Sequence, residues 1–124
     1  MGSLRERLAE RLSLTEEETA YFRAAEGRKD LLPVRITDYY LSLIGDSPDD
    51  PIRRQAIPRV QELDRRDYEL EDPLGEYRYR VTDRLIHRYR DRVLLLVTDS
   101  CAMYCRHCFR RHFSGKRLGP IADR

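Results

Sequence analysis

Leucines at positions 4, 8 and 12 recur every four residues, a spacing that brings apolar side chains to one face of a short amphipathic helix. Thr15 and Glu18 then form the S/T-x-x-E pattern of a capping box. The box predicts a second helix to about Glu26, with Gly27 as its stop. Pro33 breaks the chain. Thr37 is suited to cap a third helix carrying Tyr39, Tyr40, Leu41, Leu43 and Ile44, which Gly45 ends. Asp46-Ser47-Pro48-Asp49-Asp50-Pro51 reads as a loop, with Pro51 fitted to a first helical position. A short helix from Ile52 should stop near Pro58. Residues 61–83 are polar and predict no element beyond a turn at Asp72-Pro73-Leu74-Gly75. Tyr68, Leu70, Leu74, Tyr77 and Tyr79 in that region are expected to pack onto something larger.

Residues 92–98, Arg-Val-Leu-Leu-Leu-Val-Thr, form a continuous apolar run between charged neighbours. The run is too short for a buried helix. It predicts a strand covered on both faces, as in a parallel sheet. No second convincing strand is legible, so the partners of this one are expected outside the chain. A helix is predicted from about Phe109 or later. The fold class expected is α/β, with a helical region over 1–83 and a segment over 84–124 that opens a sheet.

Composition refines this picture. The chain has 124 residues, of which 37% are charged and 40% hydrophobic, enough for a modest core. The longest apolar run, Val93 to Val97, is far below the roughly 20 residues of a membrane span. The charged N-terminus lacks the apolar stretch of a signal peptide, so a cytoplasmic protein is expected. Charge is unevenly spread. Residues 1–83 carry 14 basic and 19 acidic side chains, a net of −5, whereas residues 84–124 carry 10 and 3, a net of +7. The basic end should attract an anion. All basic residues except Lys29 and Lys116 are arginines, whose planar fork suits fixed, bidentate anion recognition.

The three cysteines, Cys101, Cys105 and Cys108, lie within eight residues at C-x₃-C-x₂-C spacing. Clustered thiols in a chain without a signal peptide point to a soft metal rather than a disulfide framework. A [4Fe–4S] cluster is usually held by four cysteines, so three leave one iron open to a substrate or cofactor. A structural zinc held with His107 or His112 is the alternative, in a small basic module that binds nucleic acid. His87, in an Arg/Tyr-rich stretch, reads as a surface or structural histidine.

The stretch from His87 to Gly115 includes Arg88-Tyr89-Arg90-Asp91-Arg92 and Tyr104-Cys105-Arg106-His107-Cys108. It resembles the lysine 2,3-aminomutase family of the radical S-adenosylmethionine superfamily. Asp72-Pro-Leu-Gly-Glu76 and the helical N-terminal third are similar to that family too. The resemblance implies a [4Fe–4S] cluster, S-adenosylmethionine and pyridoxal 5′-phosphate as cofactors. It implies a radical chemistry that moves an amino group between adjacent carbons of an amino acid, lysine first among the candidates. Residue by residue, it implies that Cys101, Cys105 and Cys108 hold the cluster and that the backbone of His107 meets the adenine. Arg110 would pair with the substrate carboxylate, and Arg88, Tyr89 and Arg92 would surround the phosphate of the pyridoxal cofactor.

The resemblance also implies an electron donor such as flavodoxin or ferredoxin, and a homo-oligomer, with neither membrane nor nucleic acid as partner. Arg90 stands where the family usually has proline. Phe109 and His112 differ from lysine-specific members. Cys-Phe-Arg-Arg-His-Phe is similar instead to relatives acting on a lysine of an elongation factor, and a glutamate-directed relative is a further alternative. Family members continue through a partial (β/α) barrel. The chain is therefore expected to be an N-terminal portion, inactive alone, with no residue assigned to catalysis.

Overall fold

A computed structural model describes residues 4–116, which divide into two compact units. The first contains residues 4–66 together with Ala102–His107, and the second Asp67–Cys101 with residues 108–116.

The first unit is helical. Helix α1 spans Leu4–Arg11, α2 Glu16–Ala24, α3 Asp38–Ser42 and α4 Pro51–Ala56, followed by one turn of 3-10 helix at Val60–Leu63. Four of these boundaries have a local cause. Thr15 accepts a hydrogen bond from the Glu18 amide at 3.2 Å, and Glu18 Oε2 accepts one from the Thr15 amide at 2.9 Å, completing the predicted capping box. Gly27 takes φ +74° just beyond α2, a left-handed conformation that side chains rarely adopt. Thr37 caps α3 through the Tyr40 amide at 3.1 Å. Asp50 caps α4 through Ile52 at 3.0 Å, and its second oxygen accepts from the Gly45 amide at 2.6 Å, closing the 45–50 loop.

The apolar faces meet in one core of Leu8, Leu12, Ile36, Leu41, Ile44, Ala56 and Ile57, with Met103 packed against it. A buried ion pair crosses this unit. Arg53 donates from Nε to Glu18 Oε1 at 2.9 Å and from Nη2 to Oε2 at 2.7 Å, with a further bond to the Ser13 carbonyl at 2.8 Å. The capping glutamate thus also neutralises a guanidinium that would otherwise be buried alone.

The second unit is built on a three-stranded antiparallel sheet of order β1-β2-β3, comprising Arg80–Thr82, Leu85–Tyr89 and Arg92–Leu95. Gly75, at φ +62°, leads into a 3-10 turn at Glu76–Tyr79 ahead of β1. Leu85 pairs with Leu95, Ile86 with Leu94, and Tyr89 with Arg92, leaving Arg90 and Asp91 as a two-residue turn. Beyond the ladder, the Leu96 amide donates to the Arg84 carbonyl at 2.8 Å and Arg84 Nη1 donates to the Leu96 carbonyl at 3.1 Å.

This corrects two expectations. The strand predicted over 92–98 exists over Arg92–Leu95, but it is antiparallel, and Val93, Leu95 and Val97 are each about half exposed rather than covered on both faces. The partner strand expected outside the chain is β2, within it. Its turn lacks the glycine or asparagine that marks most two-residue hairpins, and irregular pairing between Ile86 and Tyr89 hides the alternation. The helix expected from Phe109 is, as far as Lys116, a run of turns instead. The Phe113 and Ser114 amides both donate to the Arg110 carbonyl at 2.9 Å. The remainder of that expected helix lies outside the described residues. Tyr68 and Leu70 are exposed, and Tyr77 and Tyr79 partly so. No helix among the described residues is long and apolar enough to cross a membrane.

Candidate functional site

The cysteine stretch is shared between the units. Cys105 belongs to the first, while Cys101 and Cys108 belong to the second. All three are free thiols, Cys101 exposed and the other two half-buried. Among the described residues, no three His, Cys, Asp or Glu side chains are gathered to hold a metal ion.

Within the second unit, the Gly115 amide donates to the Asp99 carbonyl at 2.8 Å, closing the ends of the stretch. Gly115 does so at φ +73°. Cys108 Sγ lies 3.7 Å from Ser114 Oγ. Two residues on, Arg110 forms a bidentate pair with Glu76, Nε to Oε2 at 3.1 Å and Nη2 to Oε1 at 2.8 Å. Its guanidinium also lies 4.9 Å from the centre of the Phe109 ring. The hydrogen bond donated to Glu76 raises the pKa of Arg110 above the ordinary arginine value, against the opposing effect of burial. The side chain expected to meet a substrate carboxylate is therefore already engaged by a carboxylate of its own unit.

Arg88, Tyr89 and Arg92 are brought together by the β2–β3 hairpin. The Arg92 guanidinium lies 4.5 Å from the Tyr89 ring centre and that of Arg88 lies 5.8 Å from it. Arg88 also sits over Tyr79 at 5.5 Å and donates to the Leu74 carbonyl at 3.2 Å. Two guanidinium groups flanking one tyrosine leave donors facing solvent, an arrangement suited to an oxyanion. Beside this hairpin, in the same unit, is a cavity of about 160 Å³ lined in part by Glu76, Tyr77 and His112. His112 packs on Tyr77 at 5.0 Å, and His112 Nδ1 and Asp72 Oδ1 are buried atoms without hydrogen-bond partners. A backbone bond from Tyr77, chiefly, holds the Asp72 carboxyl below the ordinary aspartate range. His87 is exposed on β2.

In the first unit, Tyr104 and Arg106 are buried while His107 is exposed. The Tyr104 amide donates to the Arg35 carbonyl at 3.4 Å and the Arg106 amide to the Gln55 carbonyl at 2.8 Å. Cys105 is thus flanked by two anchored residues.

No protein-family model matches the chain. It is 56% identical over 86 residues to the L-lysine 2,3-aminomutase of Clostridium subterminale, covering 68% of this chain and 21% of that protein. The L-lysine 2,3-aminomutase of Acetoanaerobium sticklandii is 50% identical over 115 residues, 90% of this chain and 26% of its own length. That of Fusobacterium nucleatum is 49% identical over 111 residues, 89% of this chain and 25% of its own length. The chain belongs to the lysine 2,3-aminomutase family. It spans about a quarter of the length of the curated relatives it matches. A match over 90% of 124 residues necessarily takes in the cysteine stretch.

In this aminomutase-family chain, two residues beside the expected site have partners that the sequence does not announce. Glu76 ends the Asp72–Glu76 motif, but nothing local ties it to Arg110, 34 positions away. Arg106 stands between Cys105 and Cys108, and its carboxylate partner Glu62 is 44 positions away. Pairings across such separations become legible only in the folded chain.

Proposed function

We propose that the chain is the cofactor-gathering part of a radical S-adenosylmethionine, pyridoxal-phosphate-dependent amino acid 2,3-aminomutase that acts on lysine. The observation carrying this reading is the set of three free thiols at C-x₃-C-x₂-C spacing, within a sequence about half identical to proteins named L-lysine 2,3-aminomutase. The donor chemistry fits an iron–sulfur cluster, since three free thiols within eight residues of sequence, each at least partly exposed, become soft anionic ligands once deprotonated.

In this reading Cys101, Cys105 and Cys108 hold a [4Fe–4S] cluster, and the backbone at His107 meets the adenine of S-adenosylmethionine. When bound, the cluster and S-adenosylmethionine supply a radical able to remove hydrogen from carbon, and pyridoxal phosphate supplies a carbonyl that carries the migrating amino group. The chain's own side chains bind and orient. Arg88, Tyr89 and Arg92 present two cations and a phenol to a phosphate. Arg110 presents two parallel N–H donors to the substrate carboxylate, which must displace or share Glu76 to reach them. That competition makes the carboxylate contact selective for an anion of matching geometry.

The helical first unit is read as a lead-in, and 84–124 as the entry to a partial barrel completed by further sequence of the kind the relatives contain. The chain alone should not turn over substrate. An electron donor of the flavodoxin or ferredoxin type, homo-oligomeric assembly and a cytoplasmic location complete the proposal. Phe109 and His112 favour a second substrate reading, in which the lysine belongs to an elongation factor.

Metal analysis after anaerobic reconstitution tests the proposal. Iron and sulfide in near-equal amounts, with a brown colour, are expected. Stoichiometric zinc in a colourless protein that refuses iron would replace this reading with a zinc-stabilised module.

A further inference from the structure

An arginine in a metal-binding loop would ordinarily point its charge at solvent, because burying an unpaired guanidinium is costly. Arg106 does the opposite and is only 8% exposed. Its Nε donates to Glu62 Oε1 at 2.9 Å and its Nη2 to Glu62 Oε2 at 2.8 Å. Nη2 also donates to the Tyr21 hydroxyl at 3.1 Å, and Nη1 to the Pro33 carbonyl at 3.0 Å. The Leu32 carbonyl is a longer partner of both terminal nitrogens, at 3.4 Å. Every nitrogen of the guanidinium is therefore occupied. The partners come from three separate places in the helical unit: α2, the 32–33 segment and the 3-10 turn at Val60–Leu63. The backbone repeats the attachment through the Arg106 and Tyr104 amides, one on each side of Cys105.

A planar fork held bidentately by a carboxylate fixes direction as well as position. With both neighbours fixed, the Cα of Cys105 has little freedom left, although its thiol is only half-buried. We infer that Arg106 is a positioning residue for Cys105. By locking 102–107 into the helical unit, it sets the thiol of Cys105 in place before any metal binds. This rests on the proposed function only in naming the metal as an iron–sulfur cluster. Preorganised ligands held by a supporting shell bind metal more tightly than ligands that must be ordered on binding.

The test uses the 124-residue chain and two readouts. The first is the alkylation rate of each thiol in the metal-free chain, resolved by mass spectrometry. In the wild type Cys105 should react more slowly than the exposed Cys101. In Arg106→Met the Cys105 rate should rise at least about tenfold, the order expected from losing even one of its several charge-assisted hydrogen bonds, while the Cys101 rate stays constant. Glu62→Gln should fall between, and Arg106→Lys should restore part of the protection. The second readout is the electron paramagnetic resonance signal per chain after iron–sulfur reconstitution, which should fall in the same order. Leu12→Ala, which loses core packing in the same unit, controls for stability alone.

Unchanged Cys105 reactivity and cluster signal in Arg106→Met would overturn the inference, as would an equal rise in Cys105 reactivity in Leu12→Ala. A wild-type chain that takes up no iron but shows the expected alkylation order would remove the cluster reading and leave Arg106 as the seat of Cys105.

Discussion

Glu18 shows how much one side chain can hold together. Its carboxylate caps α2 and also pairs with Arg53, which is as deeply buried as itself. Removing one partner strands the other charge in the core. Arg53→Met should therefore cost about 3–5 kcal/mol of unfolding free energy, and replacing both partners by apolar residues of similar size should cost less. Burial alone would push the Glu18 pKa up, but the bonds from Arg53 and from the Thr15 amide outweigh it and hold the group below the ordinary glutamate range. A carboxylate with a lowered folded pKa stabilises above its unfolded value and loses that contribution as pH falls through the folded one. Urea midpoints should accordingly drop as pH falls below the ordinary glutamate range, and Glu18→Gln should show a shallower drop. The capping box is legible in the sequence because its members are three residues apart. The Arg53 pairing is not, because nothing local links positions 18 and 53, and the same holds for Arg106 with Glu62 and Arg110 with Glu76.

Among the elements, those with capping residues match expectation most closely. Thr15, Thr37 and Pro51 mark helix starts because each satisfies, or does without, a backbone donor that the helix leaves open. The sheet was half legible. A short apolar run announces a strand but not the direction of its partner, and β2 shows outward residues His87, Arg88 and Tyr89 that mask its period. The consequence is an exposed β3 carrying Val93 and Leu95, followed by exposed Val97. Exposed strands rich in valine and leucine pair with other chains. Leu95→Lys should reduce self-association, read as a lower weight-average mass in light scattering at high concentration, with helical circular dichroism unchanged. Equal association in the variant would mean that another surface drives it. The cysteine spacing is legible in the sequence, whereas the anchoring of its middle segment is not.

For the molecule as a whole, charge is divided along the chain. The acidic helical region supplies carboxylates that neutralise buried Arg53 and Arg106, while the stretch from 84 onward carries the basic excess and all three free thiols. The proposed function requires that the three cysteines hold a cluster with one iron open to S-adenosylmethionine. Electron paramagnetic resonance of the reduced, reconstituted chain, recorded before and after adding S-adenosylmethionine, reads this out. A [4Fe–4S]⁺ signal is expected whose g-values shift when S-adenosylmethionine is added, and which is lost when Cys105 is replaced by alanine. A cluster signal that S-adenosylmethionine leaves unmoved, or one that survives Cys105→Ala intact, would contradict the proposed function.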